Sequence, residues 1–409
     1  MSKEYKDLIV GLDIGTTKVT CMVAEVRPDG RLSIVGLGTQ PTSGLKRGVV
    51  VNIEATVDAI SRVIQEVELM ADCKIHDLYT GIAGSHIKSF NSNGMVAIKD
   101  KEVSQFDVER VIEVARAMPI PAEQQVLHIL TQEFIIDGQG GVREPIGMSG
   151  VKLEVKVHIV TGAVSAAQNV VKCVRRCGLE VMDLILQPLA SSYAVLTEDE
   201  KELGVCMVDI GGGTADLAVF TQGAIRHTAV IPVAGDLVTN DIAMTLRTPT
   251  AEAEELKTRL GVAMHSLVDP DEMIEVPGVG DRPSRLLARQ TLADVIEPRV
   301  SEIFDLVVAE LRRSGYEELL SSGIVLTGGA ALMPGMAELG EDIFHMPVRV
   351  GAPLYEGALA DVIRYPQYAA AMGLLIEGAA QRRRGIQARD TSGVKQVWGR
   401  LRDWFGRNF

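Results

Sequence analysis

Gly204 to Phe220 reads GVCMVDIGGGTADLAVF. An apolar run, Val205 to Val208, is cut by Asp209-Ile210-Gly211-Gly212-Gly213-Thr214, and a second, Leu217 to Phe220, follows at once. Short apolar runs bounded by glycine predict two buried strands joined by a tight turn. Three successive glycines leave the turn's N–H groups open to a phosphate oxygen. Asp209 ends the first strand, where a carboxylate can hold Mg²⁺ through water; Thr214 and Asp216 flank the turn. A plain hairpin turn has the same composition. A second copy separates the two readings. Leu8 to Val23, LIVGLDIGTTKVTCMV, repeats the order: apolar run, Asp13-Ile14-Gly15, Thr16-Thr17-Lys18, apolar run. Two such hairpins predict a duplicated α/β fold with one nucleotide clamped between two lobes.

The bulk properties agree. The 409 residues suffice for several cores, and aromatics are only 4%, which suits an aliphatic α/β protein. A formal charge of 41 − 54 = −13 argues against nucleic acid as a partner of the body. No apolar run reaches transmembrane length, and MSKEYKDLIV lacks a signal peptide's apolar region. Five cysteines without a CxxC pair point to a reducing cytoplasm.

Around the first hairpin, the pattern predicts three antiparallel strands, a helix over Glu54–Asp72 and a strand over Leu78–Ala83. Lys18, facing the turn, would neutralise phosphate charge. Residues 85–162 read as an inserted small domain: a strand at Met95–Ile98, a helix over Ser104–Met118 capped by Ser104, and two further strands carrying His128 and His158. Neither histidine has metal-ligand spacing, so both are expected to be packed or surface groups, and the insert to serve interactions. A helix to Cys177 stopped by Gly178 and a strand over Leu179–Leu186 come next. Small residues from Ala190 to Ala194 would then let two helices cross closely, as at a hinge. Gln187, just before them, either orients water beside a γ-phosphate or is a strand-end amide bonded to backbone. Gly235 opens a helix. Glu254 and Lys257, three apart on another, either bracket ribose hydroxyls or form a solvated ion pair. Arg282, Arg285 and Arg289 cluster in a proline- and glycine-rich stretch, suited to an acidic partner segment. Gly328-Gly329-Ala330 after a buried strand would let backbone lie against adenine or a phosphate. A helix over Gln367–Glu377 closes the expected core.

DIGTTK at 13–18, DIGGGTAD at 209–216, LTGGAALMPG at 326–335 and the helices near Ala190 and Ala370 resemble the signature segments of the actin, DnaK-type chaperone and sugar kinase superfamily. Within it, SGLKRGVVVNIE, ELMADCKI and RPSRLLARQTLADVIEPR resemble the FtsA family of bacterial division proteins. The resemblance implies an actin-like fold in which a differently placed subdomain, 1C, supplies the insert. The subdomains it implies are 1A at 1–84, 163–197 and 366–378, 1C at 85–162, 2A at 198–232 and 301–365, and 2B at 233–300. It implies ATP and Mg²⁺ in the cleft. Asp13 and Asp209 would serve the metal through water, and Gly15, Thr16, Thr17, Lys18, Gly211, Gly212, Gly213, Thr214 and Gly235 the phosphates. Glu254 and Lys257 match the Glu-x-x-Lys that holds ribose in chaperone relatives. The resemblance also implies filament formation, other division proteins binding the insert, and subdomain 2B, with Arg285, Arg289 and Arg299, binding the C-terminal tail of FtsZ. Chaperone-type relatives carry an acidic residue where this chain has Gln187, so hydrolysis is expected to be slow or gated.

The last segment carries a separate signal. Residues 379–393 read as a flexible linker. In VKQVWGRLRDWFGRNF, Val394, Val397, Trp398, Leu401, Trp404 and Phe405 form one helical stripe flanked by Lys395, Arg400, Arg402 and Arg407. From Ala379 onward eight basic and two acidic side chains give 8 − 2 = +6. Tryptophan, cations and an amphipathic stripe together predict an anchor lying in the surface of an anionic membrane. The combined expectation is an ATP-binding filament former at the cytoplasmic face of the inner membrane, at the division septum. A small-molecule kinase of the same superfamily is the alternative; it would need a substrate-side catalytic aspartate and no such tail.

Overall fold

The computed structural model of the chain describes residues 7–390. β1 (Leu8–Ile14), β2 (Lys18–Val26) and β3 (Leu32–Pro41) form the expected antiparallel meander. A short pair, β4 (Leu45–Lys46) and β5 (Val49–Val50), follows. Asn52 starts α1 (Ile53–Ala71) by accepting the Ala55 N–H at 3.1 Å. α1 buries Ala59, Ile60, Val63, Ile64 and Val67, a single face at helical spacing, on the first sheet. β6 (Asp77–Ile82) adds parallel to β1.

The chain then leaves for the insert: β7 (Lys88–Ala97), α2 (Gln105–Arg116), β8 (Gln124–Ile136), β9 (Gln139–Val142) and β10 (Lys152–Ala163). Its sheet has the order β7-β10-β8-β9, and α2 covers one face with a core of its own. Ser104 and Asp107 close a reciprocal capping box at the start of α2. β7 begins seven residues before the strand expected at Met95, because polar Lys88–Gly94 pairs along β10 with one side exposed. α3 (Val164–Arg176), β11 (Glu180–Leu186) and α4 (Gln187–Val195) return to the first lobe and complete the sheet β11-β6-β1-β2-β3.

The second lobe repeats this plan. After α5 (Glu198–Leu203) come a meander of β12 (Val205–Ile210), β13 (Ala215–Thr221) and β14 (Ala224–Ile231). α6 (Gly235–Thr245), α7 (Thr250–Leu260), the hairpin of β15 (Met273–Val276) and β16 (Arg285–Ala288), and α8 (Arg289–Ser314) then precede β17 (Ile324–Thr327). α9 (Met336–Phe344) leads to β18 (Val348–Val350). β17 adds parallel to β12 and β18 parallel to β17, just as β6 adds to β1 and β11 to β6. The two five-stranded sheets therefore share one topology, each a three-stranded meander extended by two parallel strands.

The chain ends its described course with α10 (Ala360–Ile363) and α11 (Ala369–Asp390). α11 crosses α4 between the lobes, and a core including Ile9, Met22, Met207, Ala218 and Leu374 joins both sheets there. The close crossing expected from small residues is made by Gly373, where a Cβ would run into the Ala190 carbonyl and lie 2.9 Å from its Cα. α11 does not stop at Glu377. It continues to Asp390, so the first part of the segment read as a linker at 379–393 is helical. Arginine contacts hold the extra turns: Arg382 pairs with Asp7, Arg383 donates to the Gly30 carbonyl, and Arg384 pairs with Glu377. Among the described residues, no helix is long and apolar enough to cross a membrane. The amphipathic segment at 394–409 lies outside the described residues.

Candidate functional site

The two glycine-bearing turns are closed by the same bond. Gly15 N–H donates to the Lys18 carbonyl at 2.9 Å, and Gly211 N–H to the Thr214 carbonyl at 2.9 Å. They meet face to face. A Cβ on Gly213 would collide with Thr16 Oγ1 and lie 2.9 Å from Arg47 Cα, and one on Gly212 would strike Thr17 Cγ2. Glycine is what lets the second-lobe turn lie flat against the first-lobe turn. Thr16 Oγ1 also accepts the Gly48 N–H at 3.1 Å, tying the loop after β4 to this junction.

Behind the turns lie three carboxylates, of which Asp13 and Asp216 are buried and Asp209 is half-buried. Burial, then the Asp209 charge, pushes the Asp13 carboxyl up to about 7. Burial and Asp209 push Asp216 to about 8, and burial raises Asp209 as well. Ser191 Oγ donates to Asp209 at 2.5 Å, and Thr214 Oγ1 to Asp216 Oδ2 at 2.8 Å. Asp216 Oδ1 is buried with no hydrogen-bond partner. Lys18 is the cation that offsets both Asp13 and Asp209, and burial lowers its own pKa. Its ammonium reaches inward, donating to Gln367 Oε1 at 3.0 Å and lying 5.4 Å from the Tyr368 ring centre. Gln187, first residue of α4, donates from Nε2 to Asp13 Oδ1 at 2.5 Å. Its partner is thus a carboxylate of the site, not backbone.

The residues expected at the ribose adjoin this cluster. Gly235 N–H donates to the Gly211 carbonyl at 3.1 Å and Asp236 N–H to the Gly212 carbonyl at 2.7 Å, which docks α6 on the turn. Lys257 Nζ donates to the Gly235 carbonyl at 3.2 Å, to Thr239 Oγ1 at 2.8 Å and to Glu254 Oε2 at 2.7 Å. Glu254 and Lys257 are therefore a pair anchored beside the second glycine turn rather than on open surface. β17 pairs Thr327 with Asp209, so Gly328, Gly329 and Ala330 emerge beside that carboxylate. Hydrogen bonds and close contacts thus gather the residues expected for phosphate, metal, ribose and base around the two turns. Sequence reading missed Ser191, Thr239, Gln367 and Tyr368, which no motif marks; Ser191 hides in the small-residue run of α4.

Elsewhere the expected groups are engaged differently. Arg285 donates to the Leu246 carbonyl. Arg289 grips Glu272 at 2.8 and 3.0 Å, and Arg299 binds Asp241 at 2.5 Å and also meets Glu302. Arg285, Arg289 and Arg299 thus each have a partner within the chain. His128 and His158 are both packed: burial pushes them down to about 4 and about 3, so they are neutral. All five cysteines are free. Among the described residues no three histidine, cysteine or carboxylate groups form a metal cage. An ion here would complete its shell with water and ligand oxygens, the habit of Mg²⁺. The partnerless Asp216 oxygen and the mutually repelling, all-oxygen carboxylate set fit such an ion.

Comparison with known proteins agrees with this architecture. A family model described as "Cell division protein FtsA" matches residues 206–373, and one described as "SHS2 domain inserted in FTSA" matches residues 84–161. The chain is 59% identical to Cell division protein FtsA of Pseudomonas aeruginosa, over 98% of both chains. It is 48% identical to that of Escherichia coli K12, over 99% of both. In structure it resembles the PilM–PilN type IV pilus biogenesis complex, with a TM-score of 0.66 at 18% identity over 91% of this chain and 98% of that one. It also resembles MreB5 of Spiroplasma citri bound to ADP, with a TM-score of 0.51 at 17% identity over 95% and 100%. The duplicated sheets, the inserted domain and near-full-length identity place the chain in the FtsA family of cell division proteins, on an actin-like fold.

Proposed function

We propose that the chain binds Mg–ATP between its lobes, assembles into filaments on the cytoplasmic membrane, and tethers FtsZ filaments there during division, with the insert recruiting later division proteins. The observation that carries the reading is the pair of congruent turns abutting over Asp13 and Asp209. Backbone N–H groups of Gly15–Lys18 and Gly211–Thr214 would hold phosphate oxygens from the two sides. Asp13 and Asp209 would hold Mg²⁺ through water, with Lys18 as the fixed counter-charge; Glu254 and Lys257 would bond the ribose, and Gly328–Ala330 would flank the base. The metal, when bound, neutralises phosphate charge. A solved neighbour, the MreB5 of Spiroplasma citri, was crystallised with ADP and with AMPPNP, and another, MamK, is a double helical filament. With Gln187 tied to Asp13 and no carboxylate at its position, the chain has a poor general base, so ATP acts chiefly as a conformational ligand.

Binding of an acidic FtsZ tail at Arg285, Arg289 and Arg299 would require exchange with Glu272 and Asp241, which favours a modest, salt-sensitive affinity. Membrane attachment belongs to Val397, Trp398, Leu401, Trp404 and Phe405 with Lys395, Arg400 and Arg402. Co-sedimentation of the full chain with vesicles of anionic phospholipid tests it. The parent chain should pellet, more so with Mg–ATP and FtsZ, and Trp404→Glu should cut the vesicle-bound fraction by about tenfold. Undiminished binding of Trp404→Glu would remove the anchor.

A further inference from the structure

The insert touches the sheets of both lobes at their free edges. On the second lobe, Ser89 Oγ donates to the Thr228 carbonyl at 2.9 Å and Gln132 Nε2 to the Ile225 carbonyl at 3.0 Å, both on the outer strand β14. His158 bridges Asn91 Oδ1 and Thr228 Oγ1 at 2.8 and 2.9 Å. On the first lobe, the outer strand is β11, and its last N–H, on Leu186, donates to Nε2 of His128 at 2.9 Å. Leu186 is also the N-cap position of α4 and has no side-chain cap. The next residue is Gln187, which donates to Asp13. Starting from β8 of the insert, two hydrogen bonds and one peptide step thus reach a carboxylate of the cleft.

We propose that His128, an insert residue, is a positioning residue of the nucleotide site: by accepting the Leu186 N–H it fixes the start of α4, and so the direction in which Gln187 meets Asp13. The inference rests on the cleft being the nucleotide site. An accepting Nε2 requires the proton on Nδ1, and desolvation of the half-buried ring, which lowers its pKa to about 4, keeps it neutral, as this role demands. Other side chains serve the geometry only if they place an acceptor where Nε2 sits. Glutamine's terminal amide reaches about that far, whereas asparagine's ends about where Nδ1 lies, and leucine offers no acceptor.

The test uses the full chain with His128→Gln, His128→Asn and His128→Leu. Amide hydrogen exchange over residues 183–190 is read without nucleotide, and Mg–ATP affinity by titration calorimetry. His128→Leu and His128→Asn should exchange faster over 183–190 and bind Mg–ATP about tenfold more weakly, the low end for groups that orient a ligand-bearing residue. His128→Gln should stay within about twofold of the parent on both readouts. Combined with Gln187→Ala, the affinity loss from His128→Asn should largely vanish, because it acts through that residue. If His128→Leu does not fold, the comparison of glutamine with asparagine decides. Equal behaviour of those two, or full additivity with Gln187→Ala, overturns the assignment of His128 alone. A parent chain that binds no Mg–ATP overturns the reading of the cleft and this inference with it.

Discussion

Asp216 is the residue whose behaviour depends most on what the cleft is for. Its carboxyl is buried, one oxygen has no partner, and its pKa is pushed to about 8 from an ordinary 3.8. A carboxyl raised on folding holds its proton in the native state after the unfolded chain has released it. Its stabilising contribution is therefore complete below pH 4 and is lost as pH rises toward 8. Asp13, raised to about 7, acts in the same direction. Thermal midpoints of the nucleotide-free chain should fall between pH 5 and 8 more steeply than those of Asp216→Asn; parallel profiles would show that Asp216 is ionised throughout. Lys257 makes a second prediction at this scale. Lys257→Ala removes three hydrogen bonds around Gly235, Thr239 and Glu254. At roughly 1.5–3 kcal/mol for a bond involving a charged group, loss of one such bond to the nucleotide should weaken ATP binding by at least about tenfold. An unchanged dissociation constant in calorimetry would return the pair to the role of a structural ion pair. Here the sequence was most readable where chemistry is local: Asp13, Asp209 and their glycine turns stand in unbroken motifs. It was silent on Ser191 and Gln367: Gln367 comes from far along the chain, and Ser191, though only 18 residues before Asp209, sits in a run of small residues that no motif marks.

At the scale of elements, the crossing of α4 and α11 decides how the lobes can move. Gly373 lets α11 sit on Ala190 with no side chain between them. Gly373→Val inserts a branched side chain against backbone, an overpacking that should cost about 1–3 kcal/mol or more. The thermal midpoint should drop by several degrees, at about 2–4 °C per kcal/mol for a domain of this class. A midpoint within a degree of the parent would mean that the helices separate freely. Helix and strand identities in this chain were largely legible from periodicity and caps, as Ser104 and Gly178 illustrate. Ends were not. α11 outruns its expected stop because Arg382 and Arg383 find partners on the first lobe, Asp7 and the Gly30 carbonyl, and partners distant in sequence leave no local trace. Of the arginines clustered in sequence around the start of α8, Arg289 pairs with Glu272 and Arg285 with the Leu246 carbonyl, partners that the local sequence does not reveal.

For the whole molecule, duplication is the organising fact. Two meanders, each extended by two parallel strands, place equivalent turns opposite one another, and the insert spans the outer strands of both sheets. The duplication was visible in the sequence through its paired motifs. The spanning insert was not, because His128, Gln132 and Ser89 form its contacts without any motif. A structure of the full chain with AMPPNP and Mn²⁺ in place of Mg²⁺, read by anomalous scattering from the manganese, tests the duplicated cleft most directly. It should show one manganese peak within a water's reach of Asp13 and Asp209, with phosphate oxygens against the amides of both Gly15–Lys18 and Gly211–Thr214. A nucleotide bound to one lobe alone, or a manganese peak remote from both aspartates, would contradict it.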